Sequence, residues 1–181
     1  MTARHPTLPR IWLVTDARSD ALLDRAIALL PRGSGVIFRH HHLPPPARAA
    51  RLAHIYRLCR RYAHRLEIAG QGYGPPAPHR RLATAHSLRE MGRANRWGAN
   101  AVLLSPVFPT RSHPGTPTLG RVRLLLLAKR ARMPVIALGG MTARRFRGLG
   151  IYGWAAIDGL AASPRKSPSA RFTLAPADTR C

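Results

Sequence analysis

Acidic residues are scarce in this chain. Seven Asp and Glu stand against 30 Lys and Arg in 181 residues, and the formal net charge is +23. A site for a hard cation such as Mg²⁺ normally recruits one or two carboxylates, so the sequence has few residues from which to build one. The seven acids are Asp16, Asp20, Asp24, Glu67, Glu90, Asp158 and Asp178.

Cysteines and long apolar runs are also lacking. Cys59 and Cys181 are the only cysteines, which excludes a disulfide framework and a cysteine-based metal site and fits a reducing compartment. No apolar run approaches the length needed to span a bilayer. The basic start, MTARHPTLPR, is not followed by a signal-like apolar stretch. We therefore expect a cytoplasmic protein without a membrane partner.

The positive charge is carried almost wholly by arginine. Lys129 and Lys166 are the only lysines, and the arginines are scattered along a chain rich in Ala and Pro. Such a charge favours nucleic acids, membrane surfaces or acidic small molecules as partners. No zinc knuckle, RNP-type aromatic motif or clear helix-turn-helix accompanies it. Biased composition therefore accounts for the charge best, and we expect no specific nucleic-acid partner.

Hydrophobic residues make up 45% of the chain, enough for one sizeable core. Apolar strand-like runs alternate with helix-like runs, which is typical of a parallel sheet covered by helices. This pattern fits a doubly wound sheet and a closed barrel equally. Segment 70–81, GQGYGPPAPHRR, interrupts it because its glycines and prolines exclude a regular helix or central strand. The predicted strands are 11–15, 35–39, 65–69, 82–85, 101–104, 134–138 and 154–157, and the predicted helices are 19–30, 47–63, 87–97, 122–131 and 142–149.

Three segments that follow predicted strands carry candidate chemistry. SPVFPTRSHPG at 105–115 supplies hydroxyls, an Arg and a His, groups that hold phosphate oxygens. In RHHH at 39–42, strand alternation places the first and third side chains together, which favours anion contacts over a metal site. The glycine pair at 139–140 allows a close backbone approach to a ligand. The alternative in each case is an ordinary loop or a tight turn.

Five motifs together resemble the thiamine-phosphate synthase/TenI family. The resemblance implies a TIM-type (βα)8 barrel and a synthase that joins hydroxymethylpyrimidine pyrophosphate to thiazole phosphate, releasing pyrophosphate with the help of Mg²⁺. The family's TenI branch also includes thiazole tautomerases. The motifs are LVTD at 13–16, VIFR at 36–39, TAHS at 84–87, GANAVLLSPVFPTRSHPG at 98–115 and PVIALGGMT at 134–142, in the family's order and spacing.

The family's motifs imply a set of site residues. Arg39, His41 and His113 correspond to catalytic contacts to the departing pyrophosphate, although the family has Lys at the two histidine positions. Because a neutral imidazole is a weaker phosphate partner, we expect anion binding there to strengthen as the pH falls below about 6.5. The residues implied in substrate and phosphate binding are Thr84, His86, Thr110, Ser112, Gly139 and Gly140.

The sequence departs from the family's pattern where the metal would bind. Ala69 and Gly70 replace the family's Asn-Asp, and the second Mg²⁺-binding Asp has no counterpart. Asp158 stands where the family has a phosphate-binding Ser, and a carboxylate there is expected to repel phosphate. Mg²⁺ is therefore implied by resemblance alone, with its expected protein ligands absent. The same departures predict a barrel whose helix three and strand four are missing or degenerate.

These observations predict one βα barrel at 11–162, preceded by a basic extension at 1–10 and followed at 163–181 by a tail whose composition predicts disorder. The resemblance implies a thiamine-phosphate synthase-like transferase whose partner is a phosphorylated small molecule. The lost carboxylates leave open a non-catalytic or regulatory binder of thiamine-type phosphates. A thiazole tautomerase and the oligomeric state also stay open.

Overall fold

Eight short parallel strands form one sheet in the computed structural model of the protein, which describes residues 8–112 and 114–161. The spatial order is β3-β2-β1-β8-β7-β6-β5-β4, so the first and last strands of the chain are neighbours. This arrangement is a (βα)8 barrel, as the family resemblance implies, and not a doubly wound sheet. The strands are β1 Ile11–Val14, β2 Gly35–Phe38, β3 Arg65–Ile68, β4 Tyr73–Gly74, β5 Leu82–Ala85, β6 Ala101–Leu104, β7 Val135–Ala137 and β8 Gly153–Ala156.

Six α-helices connect or follow these strands in the described part of the chain. The five predicted helices are confirmed, although the last is shorter than expected and begins where Thr142 accepts a hydrogen bond from the Arg145 N–H at 3.2 Å. Among the described residues, none of the helices has the length and the apolar character that crossing a bilayer would take. The helices are α1 Asp20–Leu29, α2 Pro45–Arg61, α3 Leu88–Arg96, α4 Gly120–Ala128, α5 Ala143–Phe146 and α6 Asp158–Ala161.

The apolar side chains form a core inside the barrel and two cores outside it. Alternate strand residues such as Trp12, Ile37 and Leu103 point inward and are fully buried. Outside, α1 and α2 pack on β1–β3, and α3 and α4 pack on β5–β8. Strands that are covered on both faces, such as β1 and β6, are continuous apolar runs in the sequence. Inward residues near the carboxyl ends of the strands remain available for a site.

Segment 70–81 contains the barrel's fourth strand, which sequence analysis predicts to be missing or degenerate. β4 has only two residues, Tyr73 and Gly74, which pair with Leu82 and Ala83 of β5. On its other side, β4 reaches β3 through a single bridge between Ala69 and Tyr73. A two-residue strand lacks the apolar periodicity by which strands are predicted. The helix that would follow β3 in the family is absent from this described part of the chain, as expected. No helix lies between β4 and β5 there either.

An ion pair with a buried carboxylate reinforces this weak part of the barrel. Glu67 of β3 points into the barrel and is 1% exposed. Its carboxylate accepts hydrogen bonds from Arg81 Nε at 2.9 and 3.0 Å and from Arg81 Nη2 at 2.8 Å, and from Arg65 Nε at 3.1 Å. Arg81 immediately precedes β5, so its guanidinium reaches past the short β4 and links β3 to β5.

The missing helix leaves part of the barrel's outer face uncovered. In a (βα)8 barrel the helix after β3 would cover this strand beside α2. Here an open apolar groove of about 300 Å³ lies between β3 and α2 instead. Its lining includes Leu66 and Ile68 of β3 and Tyr56 of α2, which is 51% exposed. The barrel is therefore stabilised at β3–β4 mainly from inside.

We expect Glu67→Gln to lower the free energy of unfolding by roughly 1–3 kcal/mol, because two guanidinium groups lose a charged, buried acceptor while the side-chain volume is kept. Urea denaturation followed by circular dichroism measures the change. Arg57→Gln, an exposed charge change on α2, is the control and should be nearly neutral. Equal stability of the two variants would show that the ion pair does not support the barrel.

Candidate functional site

An open cavity of about 680 Å³ lies at the carboxyl ends of the strands. Its wall is formed by residues that end or directly follow seven of the eight strands, β2 to β8. This is the end of a βα barrel at which loops converge and active sites are found. The wall combines apolar residues such as Leu138 and Met141 with hydroxyl, imidazole and guanidinium groups.

Eight of the nine site residues named from the sequence line this cavity. The ninth, His113, lies outside the described residues. The fold thus brings together side chains that are distant in the sequence, while their catalytic or binding roles remain predictions. The eight residues are Arg39, His41, Thr84, His86, Thr110, Ser112, Gly139 and Gly140.

The RHHH segment divides its side chains as strand alternation predicts. Arg39 and His41 line the cavity, whereas His40 is buried beneath it. His40 Nδ1 lies 2.8 Å from Thr15 Oγ1, and His40 Nε2 lies 2.8 Å from a carboxylate oxygen of Asp20. Thr15 Oγ1 also accepts the backbone N–H of Arg39 at 2.9 Å. His40 therefore belongs to the support of the site and not to its surface.

The surroundings of His41 disfavour its charged form. Partial burial, followed by the positive charges of Arg48 and Arg39, lowers the pKa of His41 below its usual 6.5. The imidazole is therefore mainly neutral at pH 7. A bound anion would offset the two arginine charges and favour protonation.

The glycine pair after β7 packs directly against the loop after β6. Gly139 and Gly140 have φ of +93° and +60°, values that residues with a side chain rarely adopt. A Cβ on Gly139 would lie 2.8 Å from Cα of Pro106, and one on Gly140 would lie 2.5 Å from the Pro109 carbonyl oxygen. The Phe108 N–H donates to the Gly139 carbonyl at 3.1 Å. The pair thus forms a tight turn and a cavity wall at once.

His86 is held in a defined orientation at the cavity wall. Its Nδ1 lies 2.5 Å from the carbonyl oxygen of Ser105, and because a carbonyl only accepts, Nδ1 carries the proton. In the neutral ring, Nε2 is then the acceptor. The backbone N–H of His86 donates to Glu90 at 2.6 Å, while the Ser87 hydroxyl accepts the Glu90 N–H at 3.3 Å. These bonds begin α3 and fix the residue before it.

Arg18 connects the loop after β1 to the loop after β6. Its Nε donates to Asp16 Oδ1 at 2.8 Å, and its Nη2 donates to the Ser112 hydroxyl at 2.7 Å. Burial alone would raise the pKa of Asp16, but hydrogen bonds from the Arg18 side chain and backbone lower it further than burial raises it, so the net pKa lies below its usual value. Asp16 therefore stays ionised and keeps Arg18 in place.

Asp158 forms an ion pair with Arg111 of the loop after β6. Its Oδ2 lies 3.2 Å from Arg111 Nη2 and 3.3 Å from Arg111 Nε. The carboxylate that sequence analysis expects to repel phosphate therefore has its charge balanced by a guanidinium. Arg111 is 81% exposed on its side chain, so this pair alone contributes little to stability.

The residues around the cavity do not fit a Mg²⁺ site. Asp158 is the one acid among the described residues that line it. Asp158 and the nearby Asp16 are each engaged with an arginine. Within 8–112 and 114–161, no group of three or more His, Cys, Asp or Glu is placed to hold a metal ion. Cys59 is buried in an outer core, where burial raises its thiol pKa to about 12.

Sequence reasoning did not single out Arg18 or Tyr73. Tyr73 lines the cavity from β4 and is largely buried, which raises the pKa of its hydroxyl. An aromatic residue among glycines in 70–81 was the available signal for it. Arg18 gave no signal, because its partner Ser112 is 94 positions away.

Residues 82–160 match the family model described as thiamine monophosphate synthase. The chain is 38% identical over 77 residues to "Putative thiamine-phosphate synthase 2" of Aquifex aeolicus, covering 41% of each protein. It is 28% identical over 165 residues to "Thiamine biosynthesis bifunctional protein ThiED" of Geobacter sulfurreducens, covering 77% of this chain and 34% of that protein. The chain thus spans less than half the length of these curated relatives.

A solved structure shares the fold. The thiamine phosphate pyrophosphorylase from Pyrococcus furiosus superposes with a TM-score of 0.71 and 20% identity, over 87% of this chain and 90% of that one. The strand order and the cavity thus define a (βα)8-barrel protein whose pocket, at the carboxyl ends of the strands, combines an apolar wall with a few polar groups. The sequence matches narrow this class: they support a member of the thiamine-phosphate synthase/TenI family, and the family model matches a little under half of the chain.

We expect Gly140→Ala to destabilise the protein more than Gly150→Ala does. Both glycines have positive φ, +60° and +64°, but a Cβ on Gly150 meets nothing within 4 Å. The control should therefore cost about 1 kcal/mol for backbone strain, and Gly140→Ala should cost roughly 1 kcal/mol more from its clash with the loop after β6. Urea denaturation measures both. Equal losses would show that the loop moves away freely.

Proposed function

We propose that the protein is a thiamine-phosphate synthase-like transferase that binds phosphorylated substrates in the cavity at the carboxyl ends of its strands. The convergence of eight family-implied residues on this single cavity carries the proposal. The reaction would join hydroxymethylpyrimidine pyrophosphate to thiazole phosphate. The family match supports a place in thiamine biosynthesis, and the cytoplasm stays the predicted compartment.

The proposed chemistry needs positive charge at the leaving group. The bond between the pyrimidine methylene carbon and the pyrophosphate oxygen breaks, and both electrons leave with pyrophosphate. The thiazole nitrogen then bonds to the methylene carbon. Arg39 and the hydroxyls of Thr110 and Ser112 line one cavity, and in this proposal they receive the departing charge, a role in which preorganised donors lower the barrier. The wall at Gly139 and Gly140 is the proposed place for the thiazole phosphate.

A thiazole tautomerase is the second candidate, and His86 is the observation that favours it. Its Nδ1–H is engaged by the Ser105 carbonyl, which leaves Nε2 as a base at the cavity wall. A neutral imidazole held in one tautomer is suited to moving a proton. A non-catalytic binder of thiamine-type phosphates is the third candidate, favoured because Asp158, the one acid in the described cavity wall, is paired with Arg111.

We expect purified protein to form thiamine phosphate from both substrates, and Arg39→Ala to lower kcat/KM by about 100-fold, because a cation facing the leaving group is lost. Product formation measured by fluorescence after oxidation to the thiochrome tests this. Arg57→Ala, which removes an exposed arginine of α2, is the control and should retain activity.

The assay separates the three candidates. Phosphate-ligand binding without any thiamine phosphate would contradict the synthase and favour the binder. Conversion of a thiazole carboxylate tautomer that is lost in His86→Gln, with no coupling to the pyrimidine, would favour the tautomerase.

We expect pyrophosphate binding to strengthen as the pH falls, and His41→Gln to remove part of this gain. In the ligand-free protein the pKa of His41 is lowered by burial and by Arg48 and Arg39, so the gain should begin at the higher pKa that His41 has in the complex and level off below its pKa in the free protein. A bound anion raises that pKa, and binding therefore takes up a proton. Calorimetric titration between about pH 8 and about pH 5.5 measures the trend.

Comparing variants at the same pH removes the titration of pyrophosphate itself. His79→Gln changes an exposed histidine that does not line the cavity and should follow the unmodified protein. If the affinity of His41→Gln also matches that of the unmodified protein at every pH, the role of His41 is refuted.

A further inference from the structure

Among the described residues, two acids lie at the cavity mouth, and both bind arginines. Asp16 holds Arg18, and Asp158 holds Arg111. The hydrogen bond with Asp16, followed by the charges of Asp16 and Asp158, raises the pKa of Arg18. The charge of Arg39 in turn contributes to the low pKa of Asp16. Arg18, Arg39 and Arg111 thus lie close to one rim, and each carboxylate that the structure describes there is bound to an arginine.

We propose that this cavity binds a phosphate or pyrophosphate group without a divalent cation, and that Arg18 is the positioning residue that prepares Ser112 to donate to it. The inference rests on the proposed function only in treating the cavity as a phosphate site. It goes beyond that function by assigning the charge compensation to an arginine from the loop after β1.

The hydrogen-bond geometry gives Ser112 a direction. Arg18 Nη2 donates to the Ser112 Oγ at 2.7 Å, so this hydroxyl is an acceptor on the Arg18 side and its own proton is available for another acceptor. Ser112 lines the cavity, where a phosphate oxygen would be that acceptor. A donor that is itself bonded to a cation is a stronger donor.

Asp16 supplies the rigidity that this role needs. It receives Arg18 Nε at 2.8 Å and the Arg18 backbone N–H at 3.2 Å. The same guanidinium therefore bonds to Asp16 through Nε and to Ser112 through Nη2. Its charge is fixed beside the loop before any ligand arrives. This is the contribution that a bound cation would otherwise make, and it requires no free carboxylate.

The test measures binding of inorganic pyrophosphate by calorimetry, with EDTA in one series and excess Mg²⁺ in the other. We expect the unmodified protein to bind in EDTA, and Mg²⁺ to change the affinity by less than about threefold. Arg18→Ala should weaken binding roughly tenfold, as expected for loss of a charge-assisted hydrogen bond. Arg18→Lys should recover part of the loss. Arg57→Ala controls for the change in net charge.

A double-mutant cycle tests the positioning role itself. If Arg18 acts through the hydroxyl, Arg18→Ala and Ser112→Ala together should weaken binding little more than one of them alone. The combination of Arg57→Ala with Ser112→Ala should instead be additive. Thermal unfolding of each variant checks that Arg18→Ala leaves the fold intact, so that a loss of affinity cannot be a loss of structure.

The outcomes separate this inference from the proposed function. Binding that requires Mg²⁺ would overturn metal independence and leave the phosphate cavity intact. Metal-free binding with equal affinities for Arg18→Ala and Arg57→Ala would overturn the role of Arg18. No pyrophosphate binding in either series would overturn the inference and the phosphate-binding part of the proposed function together.

Discussion

The ion pair between the buried carboxylate of Glu67 and Arg81 is the interaction on which the barrel's closure depends. β4 meets β3 through one bridge, Ala69 to Tyr73, which is too little backbone pairing to define the sheet there. Arg81 reaches Glu67 from the start of β5 and supplies a second link across the gap. Because the Glu67 carboxylate is buried, the loss of its guanidinium partners would leave an uncompensated charge and weaken the closure. Ala69, Gly70 and Tyr73, which belong to this β3–β4 region, form part of the cavity wall.

At the cavity mouth, as at Glu67, acidic side chains bind arginines. In a chain of net charge +23, acids are too few to serve as general surface charges, and the acids at the cavity mouth hold arginines. Asp16 and Asp158 each orient a guanidinium that would otherwise move freely. The result is a rim whose positive charge is ordered. Such preorganisation suits an anionic ligand, since the protein does not have to reorganise when charge arrives.

Much of the fold and of the cavity can be predicted from local sequence patterns. The strand and helix bounds follow from apolar periodicity, and seven strands and five helices were predicted on that basis. The residues that end those strands necessarily meet at one end of a parallel barrel, which is why Arg39, Thr84 and Thr110 converge. Two elements were not predictable: β4, with two residues, and α6, with four, are too short to show a period.

By itself the sequence determined the alternation of strands and helices, the family resemblance and eight residues of the cavity wall, because motifs and periodicity are properties of neighbouring positions. The tertiary structure alone decided which charges meet. Arg18 and Ser112 are 94 positions apart, and Arg111 and Asp158 are 47 apart. Only closure of the barrel brings such residues within hydrogen-bond distance, since no local pattern encodes a contact between loops of different βα units. The same closure turned Asp158 from an expected repulsive charge into a partner for Arg111.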